Sequence, residues 1–260
     1  MTSEQAKDDP GLLRRQLIRG ASGSLVLKVC NTGLGLLLAV VLARLLGVDG
    51  FGIYAFCLSL VEILTMLSML GGNQLLVREV AAYQAQDRPR LLRGLLVRYA
   101  QAGSLSSLLI ALIGAVTGFW LFQGSPMQAP LLLAMALIPL LTAMRLQEAA
   151  LRGLRHVLLG QVAQNLRPAL VLVLVGLLFW LTGNGLEVEA ALAAQLFGSG
   201  VLLLLTLFFL FRVLPPGVKN AEAGYETSRW IKSVLPFVLA GSMQILNREL
   251  RRKPLNGKRD

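Results

Sequence analysis

Six long apolar segments, separated by short polar ones, dominate the chain. They fall near residues 20–43, 52–72, 99–122, 130–151, 159–182 and 190–211. Each is about as long as a helix that spans the hydrocarbon of a bilayer, which takes about 20 mainly apolar residues. A seventh apolar run, near 233–247, is short for a crossing. The alternating ten-residue segments of a membrane β-barrel are absent. The pattern predicts an all-α fold, a polytopic transmembrane helical bundle of six spans plus an incomplete seventh.

The positive charges sharpen this picture, because loop Lys and Arg concentrate in every second loop. The N-terminal arm carries Lys7, Arg14, Arg15 and Arg19, and the first loop carries Arg44 with Asp49. The next holds Arg78, Arg88, Arg90, Arg93 and Arg98, whereas Gln123 to Gln128 has no charge. Arg152 and Arg155 follow, then Glu187 and Glu189 without a cation, then Arg212, Lys219, Arg229 and Lys232. Repeated crossing with one set of loops in the cytoplasm explains such alternation. It makes the protein multi-pass and places the N-terminus in the cytoplasm.

Composition agrees. Apolar residues make up 55% of the chain and charged residues 15%, against about 25% charged in a soluble domain. The net charge of +11 is spread over loops that face anionic membrane lipids, and no nucleic-acid motif accompanies it. Cys30 and Cys57 both fall inside expected spans and are not expected to pair. Met1 to Gly20 lacks the apolar run and cleavage site of a signal peptide.

Four regions follow. Residues 1–19 form a cytoplasmic arm, amphipathic over Pro10 to Arg19. Residues 20–213 form a six-helix lobe. Residues 214–232, with Pro215 and Pro216, read as a cytoplasmic linker. Residues 233–260 read as the start of a second lobe that is cut short, because the apolar run stops at Asn247 and meets Arg248, Arg251, Arg252 and Lys253. A basic tail there opposes the bias of every other loop. A frameshift or premature stop explains it most simply; a short protein with a re-entrant last segment is the competing reading.

Charges inside spans cost about 2.5–3.5 kcal/mol each on insertion scales, so they tend to have a task. Lys28, Arg145 and Arg167 each lie about 10–12 Å below one surface, at 1.5 Å per residue. Asn31 is one turn from Lys28. Gln161, Gln164 and Asn165 lead toward Arg167, and Glu62 lies near the middle of the second span. A hydrogen-bonding cationic cavity with one central carboxylate suits a phosphate or pyrophosphate. The candidate binding residues are therefore Lys28, Asn31, Arg145 and Arg167, with Glu62 as a coupling group. The competing readings are cations that snorkel to the headgroups, an Arg145–Glu148 pair within one helix, and an interhelical hydrogen bond for Glu62. Gly114 and Gly118 suit close helix packing, Pro139 and Pro168 predict kinks, and Trp120, Trp180 and Trp230 suit interfacial anchors.

His156 is the one histidine. There is no metal-ligand spacing, no phosphate-binding loop with its Lys and no catalytic motif, so neither a cofactor nor an enzyme activity is expected.

The stretch Ala43-Arg44-Leu45-Leu46-Gly47-Val48-Asp49-Gly50-Phe51-Gly52-Ile53-Tyr54-Ala55 resembles the first-loop signature of bacterial polysaccharide flippases. These O-antigen and exopolysaccharide exporters belong to the multidrug/oligosaccharidyl-lipid/polysaccharide superfamily. Leu76 to Ala81 and Leu235-Pro236-Phe237 fit the same family, and the resemblance covers roughly residues 15 to 247. It implies one lobe of a two-lobed transporter fold with alternating access. The implied cargo is an undecaprenyl-pyrophosphate-linked oligosaccharide, and polysaccharide polymerase or export proteins are implied partners. A homodimer of two parallel copies would imitate the two lobes. A multidrug or cation exporter of the same superfamily, or a non-transporting subunit of a polysaccharide assembly complex, is the alternative.

Overall fold

A computed structural model of the chain describes residues 10–69, 72–183 and 185–224, with side chains from Lys28 onward except at 163, 182 and 220. All its regular structure is helical: α1 (Pro10–Met69), α2 (Gly72–Ala85), α3 (Pro89–Leu121), α4 (Gln128–Met135), α5 (Leu137–Gly153), α6 (Val157–Thr182), α7 (Val188–Val213) and α8 (Pro216–Asn220). Five helical stretches are long and apolar enough to cross a membrane: Lys28–Met69, Pro89–Leu121, Gln128–Gly153, Val157–Leu181 and Val188–Val213.

The first of these replaces two expected spans, and a single residue separates its halves. Gly47 has φ 71° and ψ −178° inside an otherwise helical run. A Cβ at Gly47 would meet nothing within 4 Å, so the backbone angle, not packing, calls for glycine there. In one straight helix Asn31 and Glu62 would stand about 46 Å apart. They line the same small cavity instead, so α1 folds back at Gly47 into two arms, whose apolar parts from Lys28 to Leu46 and from Val48 to Met69 are each about 30 Å long, one hydrocarbon thickness. The described residues therefore make six helical passes. The expected loop over 44–51 shrinks to one residue because Leu45, Leu46 and Phe51 pack on the core from helical positions.

The third expected span begins ten residues early. Pro89 sits at the first position of α3, where its missing N–H costs nothing. The fourth is broken where Pro139 predicts a kink: Pro139 removes a donor from the helix and crowds the preceding turn. The chain answers with a tight turn at Ala136, whose N–H bonds Leu133 O at 3.2 Å, and α4 gives way to α5. α6 ends on Gly183, left-handed at φ 63°, whose N–H caps Phe179 O at 3.1 Å.

α2 was not apparent as a helix in the sequence. It is too short and polar for a span, yet Leu75, Leu76, Val80 and Tyr83 bury one face. Leu76, Val80 and Tyr83 join Leu92, Leu95, Ala149, Leu154, Leu214 and Val218 in a core at the end of the bundle that carries the arginine-rich loops. The larger core lies between the spans, around Leu42, Cys57, Val61, Ile138, Val171 and Ala191. Close approach by small residues holds the helices together. A Cβ on Gly114 would come within 2.6 Å of Met135 Sδ, and one on Gly118 within 2.6 Å of Leu131 Cδ2, which gives that pair the packing role expected. Trp120 and Trp180 stand exposed at helix ends, as interfacial anchors do.

The segment after α7 is held rather than loose. Arg93 donates to Lys219 O and Ala221 O, both at 2.6 Å, Arg90 pairs with Glu222 at 2.7 Å, and Gly224 N–H donates to Arg90 O at 2.9 Å. Trp230, the rest of the expected linker and the seventh apolar run lie outside the described residues.

Candidate functional site

Helical spacing brings the polar residues of four passes to one place. On α5, Leu141, Met144 and Arg145 share a face, and on α6 Gln164, Arg167 and Pro168 repeat the same i, i+3, i+4 pattern. The first arm of α1 adds Asn31 and the second adds Glu62. Together these eight residues line a cavity of about 240 Å³. Arg145 lies about 12 Å along α5 from its end at Gly153, and Arg167 about 15 Å into α6 from Val157. Pro168 leaves a gap in the α6 hydrogen-bond ladder beside Arg167.

Three charges meet in the cavity. Arg145 donates through Nη2 to Glu62 Oε2, and Arg167 Nη2 stands 3.6 Å from Glu62 Oε1. One carboxylate thus faces two guanidinium groups from two helices, leaving a net charge of one positive. The group is not sealed: the side chains of Arg145, Arg167 and Glu62 are 25%, 31% and 40% exposed. Such a site offers planar donors to an oxyanion without a wholly uncompensated charge when empty.

Of the residues that the sequence nominates, Asn31, Glu62, Arg145 and Arg167 are brought together. Lys28 is exposed, one turn from Asn31, and is not among the residues that line the cavity. Of the polar stripe on α6, Gln164 reaches the cavity, while Gln161 and Asn165 are not among its lining residues. Arg145 does not pair with Glu148 as the spacing suggested. Glu62 takes Arg145, and Glu148 takes Gln164 Nε2 on one oxygen and Arg152 Nη2, at 3.4 Å, on the other.

Glu148, which the sequence offers only as a partner for Arg145, takes a different role that sequence reasoning missed. It is 6% exposed and ties α5 to α6 directly behind the cavity through Gln164. The signal was its i, i+4 spacing to Arg152, which favours pairing as well as the i, i+3 spacing to Arg145 does. Replacing Glu148 with Ala takes the acceptor from Gln164 Nε2 and leaves Arg152 with only Asn73 Oδ1, at 3.5 Å, and is expected to destabilise the protein by about 2 kcal/mol. Thermal unfolding of the extracted protein reads this directly, and an unchanged midpoint would remove Glu148 from the support of the site.

Further polar stitches hold the walls in register. Ser68 and Thr142 hydroxyls meet at 2.7 Å, Ser106 donates to Ser68 O at 2.8 Å, and Thr206 donates to Gln147 at 2.6 Å. In an apolar surround such bonds fix helix faces against one another. Among the described residues no group of three or more His, Cys, Asp or Glu is arranged to hold a metal ion.

A family model described as polysaccharide biosynthesis protein matches residues 17–247. No curated protein and no solved structure matches the chain.

Proposed function

The chain belongs to the polysaccharide biosynthesis protein family, and from that premise we propose that it carries a lipid-linked oligosaccharide across the cytoplasmic membrane, alone or as the N-terminal lobe of a larger carrier. The observation that supports this reading is the pair of arginines, one on α5 and one on α6, directed at a single cavity within the membrane-spanning bundle. A polyprenyl-linked sugar presents a phosphate or pyrophosphate between a long apolar tail and a polar glycan. The tail stays in lipid. The phosphate needs donors at membrane depth, and guanidinium groups supply them with little loss of charge.

Arg145 and Arg167 bind the phosphate oxygens in this reading, Asn31 donates a further hydrogen bond, and Lys28, one turn away, meets the headgroup as it enters. The end with Arg88, Arg90, Arg93, Arg152 and Arg155 faces the cytoplasm by the charge bias of its loops, so loading occurs from that side. Movement of α1 against α5 and α6 then opens the site outward. The chain works without a cofactor and as a carrier rather than an enzyme.

A cation exporter of the same superfamily needs acidic or aromatic groups free to meet its cargo. Here the one cavity carboxylate is already engaged by two arginines, which favours an anionic cargo. Calorimetry on the purified protein separates the two readings. Inorganic pyrophosphate is expected to bind and a lipophilic drug cation is not; binding of the cation with no heat from pyrophosphate would reverse the assignment.

A further inference from the structure

Glu62 is placed where a cargo anion would have to sit. Its two oxygens face two different guanidinium groups, and these come from α5 and α6 while Glu62 comes from the second arm of α1. A carboxylate with one oxygen on each of two cations imitates what a phosphate would do there. It is also accessible from the cavity, at 40% exposure of its side chain. The contrast is Glu148, which is 7% exposed at its side chain and ties α5 to α6 as a closed structural contact.

We propose that Glu62 is a built-in counter-anion that the phosphate of the cargo displaces, so that loading releases the second arm of α1 from α5 and α6. This rests on the reading of the cavity as a phosphate site. The two anions compete because both need the same donors and repel each other at contact distance. In the empty carrier Glu62 neutralises the arginines and holds three passes together. When phosphate takes over the arginines, that clamp opens, and when phosphate leaves, it closes. A ligand shifts a conformational equilibrium only if it binds one state better. Here the state with Glu62 withdrawn exposes both guanidinium groups and binds the anion better. Glu62 on this account needs no proton or metal ion to link binding to movement.

The sign of one measurement decides. Titrating the purified full chain with inorganic pyrophosphate, Glu62→Gln is expected to bind about ten-fold more tightly than wild type, since a neutral amide competes poorly for the arginines. Arg145→Gln and Arg167→Gln are each expected to bind at least about ten-fold more weakly. Equal or weaker binding by Glu62→Gln, with binding lost in the arginine variants, would overturn the counter-anion and leave the phosphate site standing. No binding by wild type and Glu62→Gln alike would overturn both. A second measurement needs no change at Glu62. Spin labels on cysteines at Ile63 and Leu166, both exposed, in a chain with Cys30→Ser and Cys57→Ala, are expected to move apart on adding pyrophosphate. An unchanged distance would overturn the proposal.

Discussion

Replacing Arg145 and Arg167 together with Gln is expected to lower surface polysaccharide at least about a hundred-fold in cells that depend on this protein for it. Each arginine offers charge-assisted hydrogen bonds, worth about 1.5–3 kcal/mol apiece. Losing two such contacts weakens cargo binding by more than a hundred-fold on this scale. The change leaves Glu62 without a cation, but that side chain is 40% exposed to the cavity, and water can take the place of the lost donors. The protein is therefore expected at its normal level in the membrane, which immunoblotting of the membrane fraction checks. The Arg-to-Lys pair keeps the charge without the planar fork and is expected to restore export in part. Normal polysaccharide in the double Gln variant would mean that the cations only snorkel.

A large effect on stability is expected at the small residue that joins α2 to α5. Gly153 is buried, and a Cβ there would fall 2.7 Å from both Val80 Cβ and Val80 Cγ1 and 3.0 Å from Val77 O. Neither atom group can give way easily, because Val80 is fully buried and Val77 O is backbone. Gly153→Leu is expected to cost about 3 kcal/mol, the upper part of the usual overpacking range, and to separate α2 from the bundle. Gly176 on α6 provides the control, since it is exposed and a Cβ there would meet nothing within 4 Å. Gly176→Leu is expected to leave the thermal midpoint of the extracted protein unchanged or raised. Equal midpoints for the two variants would contradict the packing described.

Much of the bundle could be read from the chain because lipid imposes a simple constraint. Every buried backbone group must be satisfied within its own helix, so length and hydropathy locate the spans almost residue by residue, as α6 and α7 illustrate. The turn at Gly47 falls inside the expected loop of 44–51, but its tightness is not legible, because Leu45, Leu46 and Phe51 beside Arg44 and Asp49 pack on the core from helical positions. α2 was hidden because a short helix with one buried face shows no long run of apolar residues. In the cavity, depth alone singled out Glu62, Arg145 and Arg167. Their grouping follows from the i, i+3, i+4 faces of α5 and α6. What spacing did not decide was the pairing: Arg145 and Arg152 each lie within a turn of Glu148, and only the fold-back of α1, which brings Glu62 across, assigns Arg145 to the cavity. Lys28 illustrates the converse, a charge at the right depth that does not line the cavity.

Mass spectrometry of the intact protein, released gently from its own membrane, tests the central claim most directly. Wild type is expected to carry a bound lipid-linked oligosaccharide that fragments to a polyprenyl phosphate, and the Arg145→Gln, Arg167→Gln protein is expected to carry none. A lipid-linked sugar retained equally by both proteins, or found on neither, would contradict the assignment of this cavity to the phosphate of the cargo.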